Sequence, residues 1–503
     1  KAGWETIGEG AGTKGGGTTP AVISSWDVAK AAEKIDFTKA LVDPHQWTVT
    51  LKLTVEAKSG DKTLKNEFRK TVHLIDDPDL HPGYPRYVGT SAEGSPKVLD
   101  VDGDSAEEII VATTDGKVHA WKLDGSEAEG FPILLPFRRE QDASYAFNIQ
   151  GACAFQAKGA KDPECRGTDQ VDKTLARQTL MLGIGVGALT GDPSDLSLVV
   201  ATFDGLMAVY DLKGQMRAGW PQHMDETFFR DTDPDHLKDE GFFGAPVLYD
   251  LDGDQKLEII GAGMDAMVYV WHADGKPMAG WPVIVRDPLE DEIAHIIVTP
   301  GVGDVDNDGL PEIVVGTNEV YGGNEGRAYL LKATGASQPD KIEEALEPGW
   351  PISLNGVAVN VLPLVGRGCP VNPALADLDG DGTLEMNIDS IGYFPTFWKA
   401  NGEPLKREDA DGNLADVDNT NFGKLSNSED SPAFVLINSG TFANLDHKNG
   451  VDFFKGSAGF NFALSFAEGG KRATFDHQVS GWDTETFRFL EGFPRIIEDW
   501  QFF

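Results

Sequence analysis

The feature that most constrains this chain is an acidic nine-residue loop that returns in fixed register along its 503 residues. Four segments align without a gap through their cores: 100–112 (DVDGDSAEEIIVA), 250–262 (DLDGDQKLEIIGA), 304–316 (DVDNDGLPEIVVG) and 377–389 (DLDGDGTLEMNID). Each has Asp at loop positions 1, 3 and 5, Glu at position 9, and then mostly an apolar run. The downstream order also repeats. The copy at 100 runs through an Asp115-Gly116 turn, KVHAWKL, an Asp124-Gly125 turn and the tripeptide GFP at 130–132. The copies at 250 and 304 continue as VYVWHADG with GWP at 280–282, and RAYLLKATG with GWP at 349–351. Self-similarity on this scale marks a repeat architecture, and a fold assignment has to satisfy it before anything else.

Two further copies have lost the acidic loop. Residues 187–221 match the first copy at a shift of 89, and their ligand positions read Leu189, Gly191, Pro193 and Ser197. Around 444–456 the same positions read Asn444, Asp446, Lys448 and Asp452, with GFP at 492–494. The copies start at 100, 189, 250, 304, 377 and 444, so the spacing varies from 54 to 89 while the unit persists.

Each unit reads as four short strands: in the first, SPKVLD, EIIVAT, KVHAWKL and GFPILL. Asp-Gly between apolar runs is a strong hairpin signal. The second strand is nearly all apolar, as a strand covered on both faces should be, whereas the third alternates. The 3.6-residue period of a helical solenoid is absent. The predicted fold is all-β, a β-propeller over 81–503 with six blades visible. Ahead of it, 45–75 alternates at period two across a Ser-Gly-Asp turn and predicts a small β-sandwich-like segment at 25–80. Residues 1–24 are glycine-rich and predict a flexible lead, with a short helix over 25–40. The GxGxxG match beginning at Gly10 lacks a preceding strand and carries no phosphate-site context.

Carboxylates at positions 1, 3 and 5, a carbonyl at 7 and an acid at 9 suit one hard cation bound through oxygen, Ca²⁺ ahead of the more strictly octahedral Mg²⁺. The predicted ligands are Asp100, Asp102, Asp104 and Glu108; Asp250, Asp252, Asp254 and Glu258; Asp304, Asp306, Asp308 and Glu312; and Asp377, Asp379, Asp381 and Glu385. An EF-hand loop has 12 residues and lies between helices; here the Glu comes at position 9 and opens a β run. Solvated Asp-rich turns are the competing reading, and fourfold repetition in one register favours the metal. About four structural calcium ions follow. At the sixth loop Lys448 either takes the cation's place between Asp446 and Asp452 or reaches solvent, and no metal is expected either way. Asp231, Asp233, Asp235 and Asp239 share the spacing without a following β run, and Asp409, Asp411 and Asn413 match less well.

The formal net charge is 43 − 81 = −38, which argues against nucleic acid and anionic membrane surfaces as partners. No apolar run approaches the roughly 18 residues of a membrane span. Three cysteines make no disulfide framework. Cys153 and Cys165 either close a local loop or stay two free thiols, and Cys369 is left over. No nucleophile elbow, P-loop or HExxH occurs. Trp121 and Trp271 at one strand position, and Trp220, Trp281 and Trp350 within GWP, read as packing between blades rather than as sugar platforms.

With these residues in view, the D-x-D-x-D-x-x-x-E loops followed by EIIVAT or EIVVGT resemble the FG-GAP/VCBS repeats of calcium-binding propellers, including the integrin α head, over about 83–503. The resemblance implies an extracellular propeller of seven blades, occasionally eight. Gly83-Tyr84-Pro85 looks like the remnant of a preceding blade, so the chain is read as a fragment or as a ring that another chain completes. Residues 25–82 resemble the region after the protease domain of large secreted bacterial subtilisin-like proteases. Gly89-Thr90-Ser91 is not followed by that family's Met-Ala, so this chain would be an accessory part. The functional expectation is a non-catalytic, secreted or cell-surface module that binds protein or glycan through the insertions 136–182, 222–242 and 403–432. The alternative is a polysaccharide lyase-type enzyme that draws on Arg138, Arg139, His223, His236 and His295.

Overall fold

The computed structural model describes residues 6–7, 26, 48–59, 62–73, most of 81–136, then 177–225, 241–289, 294–319, 326–354, 367–389, 395–417 except 410, 434–460 except 438 and 449, and 475–496. The chain divides into two compact units, residues 1–85 and 86–503. In the first, Thr48–Ser59 pairs antiparallel with Lys62–His73, from Thr48 opposite His73 to Ser59 opposite Lys62. The period-two alternation of 45–75 thus builds a single two-stranded sheet. The second layer that a sandwich needs is not among the described residues, nor is the short helix read over 25–40.

The second unit is a β-propeller. Its first four sheets are four-stranded and antiparallel. They comprise Lys97–Leu99, Glu108–Thr113, Lys117–Trp121 and Ile133–Leu134; Ile184–Gly187, Ser197–Ala201, Leu206–Asp211 and Gln222–His223; Val247–Tyr249, Glu258–Ala262, Met267–Trp271 and Val283–Ile284; and Gly301–Gly303, Glu312–Gly316, Arg327–Lys332 and Ile352–Ser353. The fifth has three strands, Ala374–Ala376, Glu385–Asn387 and Phe397–Trp398. In the sixth, Asp452–Phe460 pairs with both Thr441–Ala443 and Phe434–Ile437, and on its other side with Phe475–Asp483, which carries Arg495–Ile496. From the second sheet to the sixth, the opening strands (for the sixth, Thr441–Ala443) lie side by side in chain order. This is the radial repetition of a propeller.

Burial follows from that stacking. Ile110, Ala112, Val118 and Ala120 of the first sheet pack on Leu198, Val200 and Ala208 of the second. The second sheet's opposite face, Val199, Met207 and Val209, packs on Ile259, Tyr269 and Trp271 of the third. A strand sandwiched in this way is apolar at every position, which is why SLVVA, EIIGA and EIVVG are buried throughout. In the first sheet only one face is covered to that degree: Ile109, Val111 and His119 are half-buried, and Val98 is 58% exposed.

The tripeptides read as part of the fourth strand form a turn ahead of it. Phe131-Pro132, Trp220-Pro221, Trp281-Pro282, Trp350-Pro351 and Phe493-Pro494 are cis, and the preceding glycines have φ near +90°. The GWP indoles reach the next sheet: Nε1 of Trp220, Trp281 and Trp350 donates to the carbonyls of Ala273, Ala333 and Ala400 at 3.0, 2.9 and 2.7 Å. The packing role read for these tryptophans therefore holds. At Gly280 (φ +92°) a Cβ would fall 2.1 Å from the Thr334 carbonyl of the neighbouring sheet. No other residue type tolerates both the left-handed backbone and this approach.

In an antiparallel sheet, alternate connections leave from opposite ends. Every loop between first and second strands, including all four acidic loops, therefore opens at one end of the propeller. The connections from one sheet to the next leave from the other end.

A charged pair is buried between the fifth and sixth sheets. Lys455 Nζ of the sixth contacts Asp389 Oδ2 just after the fifth sheet's second strand, and both side chains are at most 2% exposed. Asp389 Oδ1 also accepts from Asn387 Nδ2 and the Thr396 N–H, at 2.9 and 2.7 Å. Lys455→Met would leave that carboxylate buried without its cation. It is expected to cost about 3–5 kcal/mol, read as a lowered urea midpoint with unchanged slope. Gly280→Ala is expected to lower the melting temperature as well, by strain at both the backbone and the sheet contact.

Candidate metal centres

Four loops fold alike, from the same local forces. The position-9 glutamate opens the second strand and is buried: Glu108, Glu258, Glu312 and Glu385 are all at most 2% exposed. Each turns one carboxylate oxygen back to the start of its own loop. Oε2 accepts the position-2 N–H from Val101 at 3.0 Å, Leu251 at 2.9 Å, Val305 at 2.7 Å and Leu378 at 2.8 Å. The position-1 aspartate then gathers the loop's turns. Asp100 accepts from the Gly103 and Ser105 N–H groups at 2.7 and 2.9 Å, Asp250 from Gly253 and Gln255 at 2.8 and 2.9 Å, and Asp377 from Gly380 and Gly382 at 2.7 and 3.1 Å. Asp304 takes the Asp308 and Gly309 N–H groups, both at 3.0 Å. Position 5 accepts the position-7 N–H in every loop, at 2.8 Å, from Ala106, Lys256, Leu310 and Thr383. Positions 4 and 6 are left-handed throughout: Gly103 and Ser105, Gly253 and Gln255, Asn307 and Gly309, Gly380 and Gly382. A Cβ at Gly103 would meet nothing within 4 Å, so glycine serves the backbone there and not the packing.

The folding brings predicted ligands together. Ligand atoms of Asp100, Asp102 and Glu108 lie within 4.8 Å of one another, as do those of Asp250, Asp252 and Asp254; of Asp304, Asp306 and Asp308; and of Asp377, Asp379 and Glu385. A further grouping, Asp252, Glu258 and His272, adds an imidazole that sequence reading missed. Asp104, Glu312 and Asp381 fall outside these groupings; the Oδ1 atoms of Asp104 and Asp381 bond Ala106 and Thr383, and Glu312 Oε2 bonds Val305. The donor set suits a hard, oxygen-seeking cation. Glu108 Oε1 is buried with no hydrogen-bond partner, and Glu385 Oε1 makes no hydrogen bond but has Lys399 Nζ 3.6 Å away; a buried carboxylate oxygen is costly unless something charged meets it.

Burial pushes the carboxyls of Glu258 and Glu385 above the ordinary glutamate range, and that of Glu312 to about 7. Beside Glu312 lies Glu347, held up by its own burial and facing Asp306 and Asp308. In the chain stripped of metal by chelator, folded Glu312 keeps its proton to about pH 7, against about 4.5 for an ordinary glutamate. The folded state then binds more protons in that window, so stability falls as pH rises from about 4.5 to 7. Urea titrations across pH in chelator are expected to show this decline, and Glu312→Gln to flatten it.

The acid-poor loops are built differently. Asp452 Oδ2 accepts from the Leu445 and Asp446 N–H groups at 3.0 and 3.3 Å, which reproduces the position-9 closure. Lys448 Nζ pairs with Asp446 at 2.6 Å while its side chain stays 78% exposed, so of the two sequence readings the solvent-reaching lysine is the one seen. At the 189 loop, Ser197 holds position 9, and Asp195 is tied to Arg217 at 2.6 Å instead. Asp409 caps a hairpin turn through the Asp411 and Asn413 N–H groups, both at 2.9 Å.

Asp231, Asp233, Asp235 and Asp239 lie outside the described residues, as do Cys153, Cys165, Arg138, Arg139 and His236. His223 sits on the second sheet's outer strand, and His295 forms a bridge with Asn318; nothing described brings these two together. Cys369 is a buried free thiol.

A model of the FG-GAP-like repeat family matches residues 250–315, which span the second acidic loop and most of the third repeat core. A search of curated proteins returned no match. Among solved structures, the chain is similar to BBS1N in its complex with ARL6DN (10% identity, 84% of this chain and 86% of that one, TM-score 0.40). It is also similar to quinohemoprotein alcohol dehydrogenase from Comamonas testosteroni (12%, 81% and 61%, 0.42) and to BamB from Moraxella catarrhalis (10%, 81% and 95%, 0.30).

Proposed function

We propose that this chain is a non-catalytic propeller module, stiffened by about four structural calcium ions, that presents its insertions to a protein or glycan partner outside the cell. The observation that carries this reading is the fourfold repetition of one loop geometry, with a buried glutamate at position 9 and acidic ligand atoms converging in each copy. Asp100, Asp102 and Glu108 and their counterparts would hold the ions. A bound ion supplies the charge that lets several carboxylates share one turn and fixes the first two strands of each blade. The proposed location rests on the resemblance of the acidic loops to extracellular calcium-binding repeats. The partner reading rests on the insertions, since loops on a rigid scaffold commonly carry recognition.

Calorimetric titration of the chelator-stripped chain with calcium is expected to show about four equivalents. The melting temperature should rise with calcium, with about 2.7 kcal/mol of stabilisation per site at 100 times its dissociation constant. Glu385→Gln keeps an acceptor for the Leu378 N–H, so it should fold normally and bind one ion fewer. No heat and no melting shift in the parent chain would overturn the reading.

A further inference from the structure

One position opposite each loop tracks the loop's charge. In the sheet ladder Glu312 pairs with Lys332, and the same register step places Lys122 across from Glu108, His272 across from Glu258 and Lys399 across from Glu385. At the two acid-poor loops the partners of Ser197 and Asp452 are Asp211 and Asp483. A lysine thus faces three of the four acidic loops and a histidine the other, whereas an acid faces both acid-poor loops. Ordinary cross-strand pairing would account for a lysine that meets the position-9 glutamate. It does not account for where the lysine of the first sheet goes. Lys122 Nζ passes Glu108 and lies between two loop carboxylates, 2.6 Å from Asp102 Oδ2 and 3.0 Å from Asp104 Oδ2. Lys399 Nζ reaches Asp379 at 3.3 Å and Glu385 Oε1 at 3.6 Å. In the third sheet His272 Nδ1 is 3.1 Å from Glu258 Oε1, while Lys256 pairs with Asp254 from the solvent side, at 2.6 Å with 53% of its own side chain exposed. Lys332 makes no ion pair with its loop among the described residues, and the third loop has Glu347 close by instead.

Resting on the calcium reading above, we propose that Lys122 and Lys399 are built-in counter-ions whose ammonium groups stand among the metal-ligating carboxylates and must swing out for an ion to enter. The four loops are then graded. The third, with no ammonium among its carboxylates and an extra acid nearby, takes calcium first, and the first and fourth take it last. The lysines hold their loops in shape when calcium is scarce, and the propeller tightens in steps as calcium rises.

The test is calcium calorimetry and thermal melting on the full chain, comparing Lys122→Met, Lys399→Met and, as a control at the same register position, Lys332→Met. Lys122→Met and Lys399→Met are each expected to tighten one ion by about tenfold or more, because a like charge within a few ångströms of the ion is removed; Lys332→Met should tighten none. In chelator the first two variants should melt below the parent chain, and in saturating calcium that deficit should vanish. A lysine serving only to hold the sheet would lower melting equally in both conditions, and that result, or unchanged isotherms beside a parent that binds four ions, overturns the proposal. If neither parent nor variants take up calcium, the calcium reading falls and the displacement proposal with it.

Discussion

The hydrogen bond from the position-2 backbone N–H to a buried position-9 carboxylate governs the rest of each acidic blade. It sets the length of the loop, fixes the register between first and second strands, and puts a charged oxygen where only an apolar strand should begin. Leu445 and Asp452 reproduce it in a loop that keeps only Asp446 of its other three acids, so its first role is closure of the hairpin. The proposed ion binding would be layered on that closure, at loops where the position-9 side chain is long enough to offer a second oxygen to the turn.

Between blades the governing constraint is coverage. A sheet packed on both faces needs close approach at its rim, and that is supplied where the tripeptide glycine meets the next sheet's turn backbone and its tryptophan donates to a carbonyl one blade on. The buried Lys455–Asp389 pair plays a comparable part between the fifth and sixth sheets at greater electrostatic cost.

Much of this was legible in sequence because period and register are local. The repeat starts, the apolar second strands and the Asp-Gly turns sit where the pattern put them. Two things were not legible. The GFP and GWP tripeptides read as strand, since aromatic residues favour strands, yet the glycine before each carries a positive φ that breaks pairing. Lys122, His272 and Lys399 escaped notice because their relation to the loops runs through the ladder, across a hairpin, and only alignment on the position-9 residue brings it out. The 45–75 alternation correctly marked strands, but alternation cannot say how many sheets a segment contributes to.

The connectivity has a consequence for recognition. First-to-second-strand loops and blade-to-blade connections leave from opposite ends, so the acidic loops and the strand ends from which the chain passes to the next sheet lie at opposite ends of the propeller. A partner held at the blade-to-blade connections would meet the end away from the proposed ion sites. Calcium would then act on such a partner at a distance, much as tension in the rim of a drum alters the skin: by setting how firmly the strands beneath those connections are held, and so how much disorder the partner must remove when it binds.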